Sequence, residues 1–374
     1  MFKYIKYSLR EGRFIKNINK MSSASKKALL SYTVMPFLTQ KNTHSNKQES
    51  QVIVDLLTSL GYQVDIIHFS NTKKLNYSNY DLIFGFGEPF ENSFKDKKCS
   101  AKRIYYATGA HSFHQNTAEV NRIKEFNKKY NSNLLPKRIT PWLWTLSISF
   151  SDFLIVIGNE WTASTYYKFS NIPIFTINAT ALINPDLKNI NRDINETRKN
   201  FLWFGSSGLI HKGLDLCLEY FTTHTEYTLH ICGPIEEDFF SAMDPFLTKP
   251  NIIFHGFVNV NSQRFIKIVS ECLFAILPSC SEGQSTAILT VMSSGLIPVA
   301  TRFTGLDIGS LGYLIEQLNI DSLASTIKTI SSQNNDYLNL QSTQCINYIK
   351  GEHSLENYRE NLSKIFMKTI NEIQ

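Results

Sequence analysis

Two stretches of the chain hold side chains whose types and spacing could do chemistry: "FGSSGLIHKG", from Phe204 to Gly213, and "PSCSEGQSTAILTVMSSGLIPVAT", from Pro278 to Thr301. In the first, an apolar run ends at Gly205 and the chain turns through Ser206, Ser207 and Gly208. Lys212 and Gly213 then open a segment in which Leu214, Cys217, Leu218 and Phe221 fall at helical spacing. A loop of small residues feeding a helix start, with a lysine at its mouth, suits a diphosphate. Free backbone N–H groups and the helix dipole face the anion, and the lysine adds a full charge. An ordinary strand–turn–helix junction with a surface lysine has the same pattern.

In the second stretch a lone carboxylate, Glu282, lies between the apolar run "CLFAILPS" and a helical segment from Ser285 to Ser294 closed by Gly295. That segment is apolar nearly all round, so it is expected to be buried. Glu282 could favour the helix start, a contribution of ~0.3–1 kcal/mol. It could instead accept hydrogen bonds from sugar hydroxyls, because an ionised carboxylate offers two acceptor oxygens to paired O–H donors. Read alone, the helix-start role is the more economical.

The elements that must position these residues read as two α/β series. Apolar runs at Lys27 to Val34, Tyr62 to Ser70, Tyr80 to Gly87, Lys102 to His111, Ser151 to Gly158 and Ile172 to Ala179 predict strands covered on both faces of a parallel sheet. A helix is expected over about Asn46 to Leu60, ended by Gly61. Residues 185–200 are polar and without hydrophobic period, which predicts a linker or surface loop. A second series follows, with strands at Phe201 to Ser207, Tyr227 to Gly233, Asn251 to Val258, Cys272 to Ser279 and Leu296 to Thr301. Leu355, Tyr358, Leu362, Ile365, Phe366 and Ile370 predict a last helix that packs on the body. The fold class is therefore α/β, with two Rossmann-like, doubly wound parallel-sheet domains facing a cleft. The expected boundaries are a leader over 1–26, an N-terminal domain over 27–190, a C-terminal domain over 198–350, and a final helix over 351–374 packing back on the N-terminal domain.

Composition narrows the function classes. With 374 residues, the chain is long enough for two domains at roughly 100–200 residues each. Six cysteines without C-x-x-C spacing favour a reducing compartment and no zinc, so the expected location is cytoplasmic. The formal charge of +6 is concentrated, because residues 1–27 carry eight lysines and arginines against Glu11 alone. With Phe2, Tyr4, Ile5, Phe14 and Ile15 interleaved, this leader suits either a basic amphipathic helix in peripheral contact with an anionic membrane or a solvated tail. No further basic stripe follows, which argues against a nucleic-acid partner.

Taken together, "FGSSGLIHKG" and "ILPSCSEGQSTAILTVMSSGLIPVATRFTG" resemble the C-terminal half of GT-B glycosyltransferases, closest to the retaining family numbered four, which uses nucleotide-diphospho sugars. The resemblance covers Phe201 to Gly305, and the N-terminal half only by strand–helix order. It implies transfer of a sugar from a nucleotide-sugar donor to a glycan or lipid-linked acceptor, in surface polysaccharide or glycoconjugate synthesis. By the resemblance, Lys212 would bind the donor diphosphate with the loop Ser206, Ser207 and Gly208, and the backbone of Gly283, Gln284 and Ser285 would hold the same phosphates. Glu282 would hold the donor sugar hydroxyls. Gly233, Pro234 and the "FHGFV" segment with Phe257 would line the nucleotide base. His111 first, and His114 second, would stand near the sugar and scissile bond, as the family places a histidine after a strand of its N-terminal lobe. A lone histidine after a strand also serves structure.

The sequence departs from the family's pattern at three places. Ser206 and Ser207 stand in the region where the family usually carries an arginine. Thr290 stands where it usually has a second, ribose-binding glutamate, and a threonine hydroxyl grips one oxygen, not two. The glycine-rich loop usual after the first strand is replaced by "MPFLTQKNTHS". There is no Asp-x-Asp, the usual metal-holding motif of many glycosyltransferases, so the expectation is no metal and no cofactor, with the nucleotide sugar as substrate. Two other functions fit: a nucleotide-sugar epimerase or inverting transferase on the same architecture, and a non-catalytic GT-B subunit or scaffold. Trp142 and Trp144 beside Lys137 and Arg138 would suit a lipid-linked acceptor or, equally, a core helix.

Overall fold

The structure is a computed structural model that describes residues 12–38, 46–141, 144–190 and 192–371. Two compact units share the chain: Met1–Gly109, Trp142–Thr180 and Ser354–Gln374 in one, Ala110–Pro141 and Ala181–His353 in the other.

The first unit is a seven-stranded sheet of β1 (Phe14–Ile15), β2 (Lys26–Tyr32), β3 (Tyr62–His68), β4 (Leu82–Gly85), β5 (Lys102–Ala107), β6 (Phe153–Ile157) and β7 (Ile174–Ile177), in the order β1-β3-β2-β4-β5-β6-β7. All pairs are parallel except β1 with β3. Helix α1 (Asn46–Ser59) occupies the range expected of it. The last helix, Leu355–Asn371, turns Tyr358, Leu362 and Phe366 inward. Phe366 meets Phe84 edge-on at 5.5 Å, and the Tyr358 and Tyr106 hydroxyls are 2.7 Å apart.

The leader is where this unit differs from the sequence expectation. Residues 1–11 lie outside the described residues; Phe14–Ile15 form a two-residue edge strand, and turns rather than helix lead from it to β2. The outer edge of β3 offers unpaired N–H and C=O groups, which cost free energy if left without partners. Phe14 and Ile15 pair with Ile67 and Ile66, Ile18 donates to the Val64 carbonyl at 2.9 Å, and Asn17 N–H donates to Asp65 at 2.8 Å.

The second unit is a six-stranded, wholly parallel sheet of β8 (Asn200–Phe204), β9 (Thr228–Cys232), β10 (Ile252–Gly256), β11 (Phe274–Leu277), β12 (Ile297–Ala300) and β13 (Tyr313–Leu314), in the order β10-β9-β8-β11-β12-β13. This is the doubly wound order, and its direction reverses between β8 and β11. Helix α2 (Ser112–Tyr130) belongs to this unit although it follows β5 in sequence. Its Arg122 reaches Asp215 at 2.6 Å, and its Phe126 ring lies 5.9 Å from that of Phe239.

The segment expected to be a linker or surface loop is anchored by one side chain. Arg192 donates to the carbonyls of Cys272 (2.9 Å), Val269 (3.1 Å) and Ser294, tying its segment to the helix ends and connections that lead into β11 and β12 through one guanidinium. Burial lowers that guanidinium to about 10.

Candidate functional site

The two chemically loaded loops leave the C-terminal ends of β8 and β11, which are hydrogen-bonded neighbours in register at Phe201 with Phe274 and Leu202 with Ala275. A crevice outside the strand ends where the order reverses is where open α/β sheets bind ligands. The first loop closes on itself before helix α3 (Leu214–Thr223): Lys212 N–H donates to Gly208 O and Leu214 N–H to Leu209 O, each at 3.0 Å. Gly213 has φ +69°, and a Cβ there would lie 2.2 Å from the Pro278 carbonyl oxygen. Only a glycine lets the two loops touch in this way. Cys280 N–H then donates to His211 O at 2.9 Å, stitching them together.

This contact brings Lys212 and Glu282 together. The Lys212 ammonium donates to Glu282 Oε1, which also accepts the Ser279 hydroxyl at 3.1 Å. Arg138 Nη2 stands 3.9 Å from Glu282 Oε2. Burial by itself would raise the Glu282 carboxyl, but Lys212, Arg138 and His211 together outweigh it and hold the group at about 2. Glu282 is thus an ionised acceptor, with its oxygens turned toward cations and a hydroxyl.

A buried dyad missed by the sequence reading stands behind this pair. His211 Nδ1 lies 2.8 Å from Glu119 Oε2, and its Nε2 bonds the Ser281 carbonyl. Both ring nitrogens face acceptors, so the ring is fixed from two sides. Glu119 Oε1 accepts the N–H groups of Lys137 (2.7 Å) and Arg138 (3.0 Å). Burial pushes the Glu119 carboxyl up, but the hydrogen bonds from His211 and from those two amides bring it below its ordinary value. Nothing in "HKG" signalled the dyad, because its carboxylate lies 92 residues away in sequence.

The other sequence-derived residues are distributed as follows. Ser206 and Ser207 are exposed, and Gly208 is buried with its N–H donating to Glu236 at 2.6 Å. Gly233 is buried, Pro234 half-buried, and Phe257 stands 83% exposed. After Glu282, whose N–H donates to Phe303 O at 2.8 Å, Gly283 leads into Gln284, which donates to Gly305 O at 3.1 Å. Ser285 is the N-cap of helix α4 (Thr286–Met292). Thr290 is buried, and its hydroxyl donates back to Thr286 O at 2.7 Å. His111 is the N-cap of α2, where its Nδ1 accepts the Phe113 N–H at 3.2 Å; burial, then the neighbouring His114, lower it to about 4. Burial lowers His114 as well. Trp142 lies outside the described residues, and Trp144 is buried in the core of the first unit. Among the described residues no group of three or more His, Cys, Asp or Glu is placed to hold a metal ion, and no helix is long and apolar enough to cross a membrane.

Lys212, Glu282 and the strands that carry them fall within a region that matches a family model, "Glycosyl transferases group 1". The match covers residues 198–333, and so the second unit's sheet from β8 to β13. No curated protein matches the chain by sequence. Solved structures carry the comparison over both units. Sucrose-phosphate synthase from Thermosynechococcus elongatus superposes with a TM-score of 0.66 at 12% identity, covering 92% of this chain and 99% of the other. A glycosyltransferase from Rickettsia africae gives 0.61 at 15% identity, covering 93% and 100%. HepE from Anabaena, solved with UDP and glucose, gives 0.58 at 12% identity, covering 92% and 99%. The two units have the GT-B fold of these structures.

Proposed function

We propose that the protein transfers a sugar from a nucleotide-diphospho sugar to a glycan or lipid-linked acceptor. The observation that carries this reading is the Lys212–Glu282 pair at the reversal of strand order, inside the group 1 domain. Lys212 binds the donor diphosphate and stabilises the charge that builds on it as the C1–O bond breaks. Glu282 accepts hydrogen bonds from the donor sugar's hydroxyls. The acceptor oxygen forms the new bond to C1 on the face the diphosphate leaves, its proton passing to a donor phosphate oxygen, so the anomeric configuration is retained. The charge on the departing group is met by the lysine without a metal. The test is a donor panel of UDP-, GDP- and ADP-sugars with glycan and lipid-linked acceptors, run with and without a chelator, with the product anomer read by NMR. Transfer from one donor, unaffected by chelator and with retained configuration, supports the reading. Acceptor-independent conversion of the donor would make the protein an epimerase, and an inverted anomer would overturn the retaining step.

A second reading, a non-catalytic GT-B subunit, is favoured by two observations: Glu236 occupies the Gly208 N–H, and the Thr290 hydroxyl is turned into its own helix. Calorimetric titration with UDP and GDP separates the two readings, because a scaffold without a donor site shows no heat of binding at millimolar nucleotide.

A further inference from the structure

We propose that Arg138 is a second cation of the donor site, placed to contact the diphosphate beside Lys212, and that Glu119 is the residue that positions it. The inference rests on the reading of Lys212 given above and extends it to a residue from a different part of the chain.

Arg138 lies in the connection after α2, yet its backbone is held at both its N–H and its carbonyl. Its N–H and that of Lys137 go to Glu119 Oε1, and its carbonyl accepts from Gln115 at 2.9 Å. The same Glu119 carboxylate uses its other oxygen to hold His211, the residue before Lys212, and the far nitrogen of that ring bonds the carbonyl of Ser281, the residue before Glu282. One buried carboxylate therefore sets three neighbours of the site against one another.

The side chain is laid over the β8 loop: a Cβ on Gly208 would lie 2.4 Å from Arg138 Cγ. Its guanidinium ends 3.9 Å from Glu282, beyond hydrogen-bond distance, and its Nε is buried with no hydrogen-bond partner among the described residues. A guanidinium offers five donors in a planar fork suited to phosphate oxygens, and here that capacity is largely unused. Lys137, next to it, points away to Asp238 at 3.6 Å. Lys212 and Arg138 thus share a single carboxylate, Glu282, leaving a net positive charge to attract an incoming diphosphate.

The experiment titrates the full chain with UDP, GDP, ADP and pyrophosphate, then with the nucleoside of the tightest binder, for the wild type and the variants Arg138→Met, Arg138→Lys, Glu119→Gln and Lys212→Met. The expected result is a loss on the order of tenfold or more in diphosphate affinity for Arg138→Met. Nucleoside affinity stays unchanged, Arg138→Lys recovers part of the loss, and Glu119→Gln falls between. Diphosphate affinity in Arg138→Met equal to wild type, alongside a loss in Lys212→Met, overturns the role of Arg138 and leaves that of Lys212 standing. Wild-type affinity in Lys212→Met as well, or no binding to the wild type, overturns both. An equal loss of nucleoside affinity in a folded Arg138→Met overturns the proposal too, because a general disturbance of the fold would then account for the effect.

Discussion

The Lys212 ammonium and the Glu282 carboxylate, 70 residues apart in sequence, are paired across loops that leave the adjacent strands β8 and β11. Their side chains are 6% and 11% exposed, so each is the other's main compensation for lost water. A donor that takes the lysine with its phosphates and the carboxylate with its sugar replaces one set of partners by another.

Removal of one partner should therefore cost both stability and activity, and removal of both should cost mainly activity. Lys212→Met and Glu282→Leu each strand a charge, at a cost approaching the ~3–5 kcal/mol of a fully buried broken pair. The double variant should recover much of that stability and none of the transfer. Chemical denaturation of the four proteins checks this; a double variant as unstable as the sum of the singles contradicts it.

The Glu282 carboxyl, held at about 2 when folded, sets an acid dependence. A carboxylate depressed on folding stabilises the protein above the unfolded range near 4.3, and that contribution is lost as pH falls toward the folded value. The stability difference between wild type and Glu282→Gln should be full at pH 6 and shrink steadily between about pH 4.5 and the acid limit of folding. A difference independent of pH over that window would show that Glu282 is not held ionised by its neighbours.

His111 predicts an acid sensitivity of the same sign, setting in at higher pH. Its imidazole is held neutral down to about 4 by burial and by His114, so the unfolded chain takes up a proton before the folded one does. The stability it contributes is present above the unfolded value near 6.5 and is lost as pH falls toward 4. Histidine NMR should place its titration midpoint near 4, and transfer rates between pH 6.5 and 8 should show no step belonging to this residue. A midpoint above 6 would contradict the burial argument.

The leader gives a fourth expectation. Deleting residues 1–20 removes β1 and uncovers the outer edge of β3, so the melting temperature should fall and the truncated chain should self-associate more readily. Differential scanning calorimetry and sedimentation measure both, and a truncation as stable as the full chain would show that β1 contributes nothing to the sheet.

What the sequence disclosed follows from the range of the interactions. Strands such as Phe274–Leu277 and Ile297–Ala300 are buried on both faces, and their apolar runs announce them. β1 and β13, two residues each, have no period to read. Lys212 and Glu282 drew notice because each sits in a loop whose local pattern is telling, and the structure pairs them. Glu119 and Arg192 did not, and Arg138 was noticed only beside the tryptophans, because each meets its partners only through tertiary packing, and α2 lies in the half of the sequence that otherwise builds the other sheet. Thr290 was noticed as a departure, but only the structure shows its hydroxyl directed to Thr286.

The central claim is tested most directly by steady-state release of nucleoside diphosphate from the preferred donor in the presence of acceptor, compared among wild type, Lys212→Met and Glu282→Gln. The account predicts turnover by the wild type and a fall on the order of 10²–10³ in kcat for Lys212→Met, with a comparable loss in kcat/KM for Glu282→Gln. Wild-type rates in either folded variant, or no release from any donor by the wild type, would contradict it.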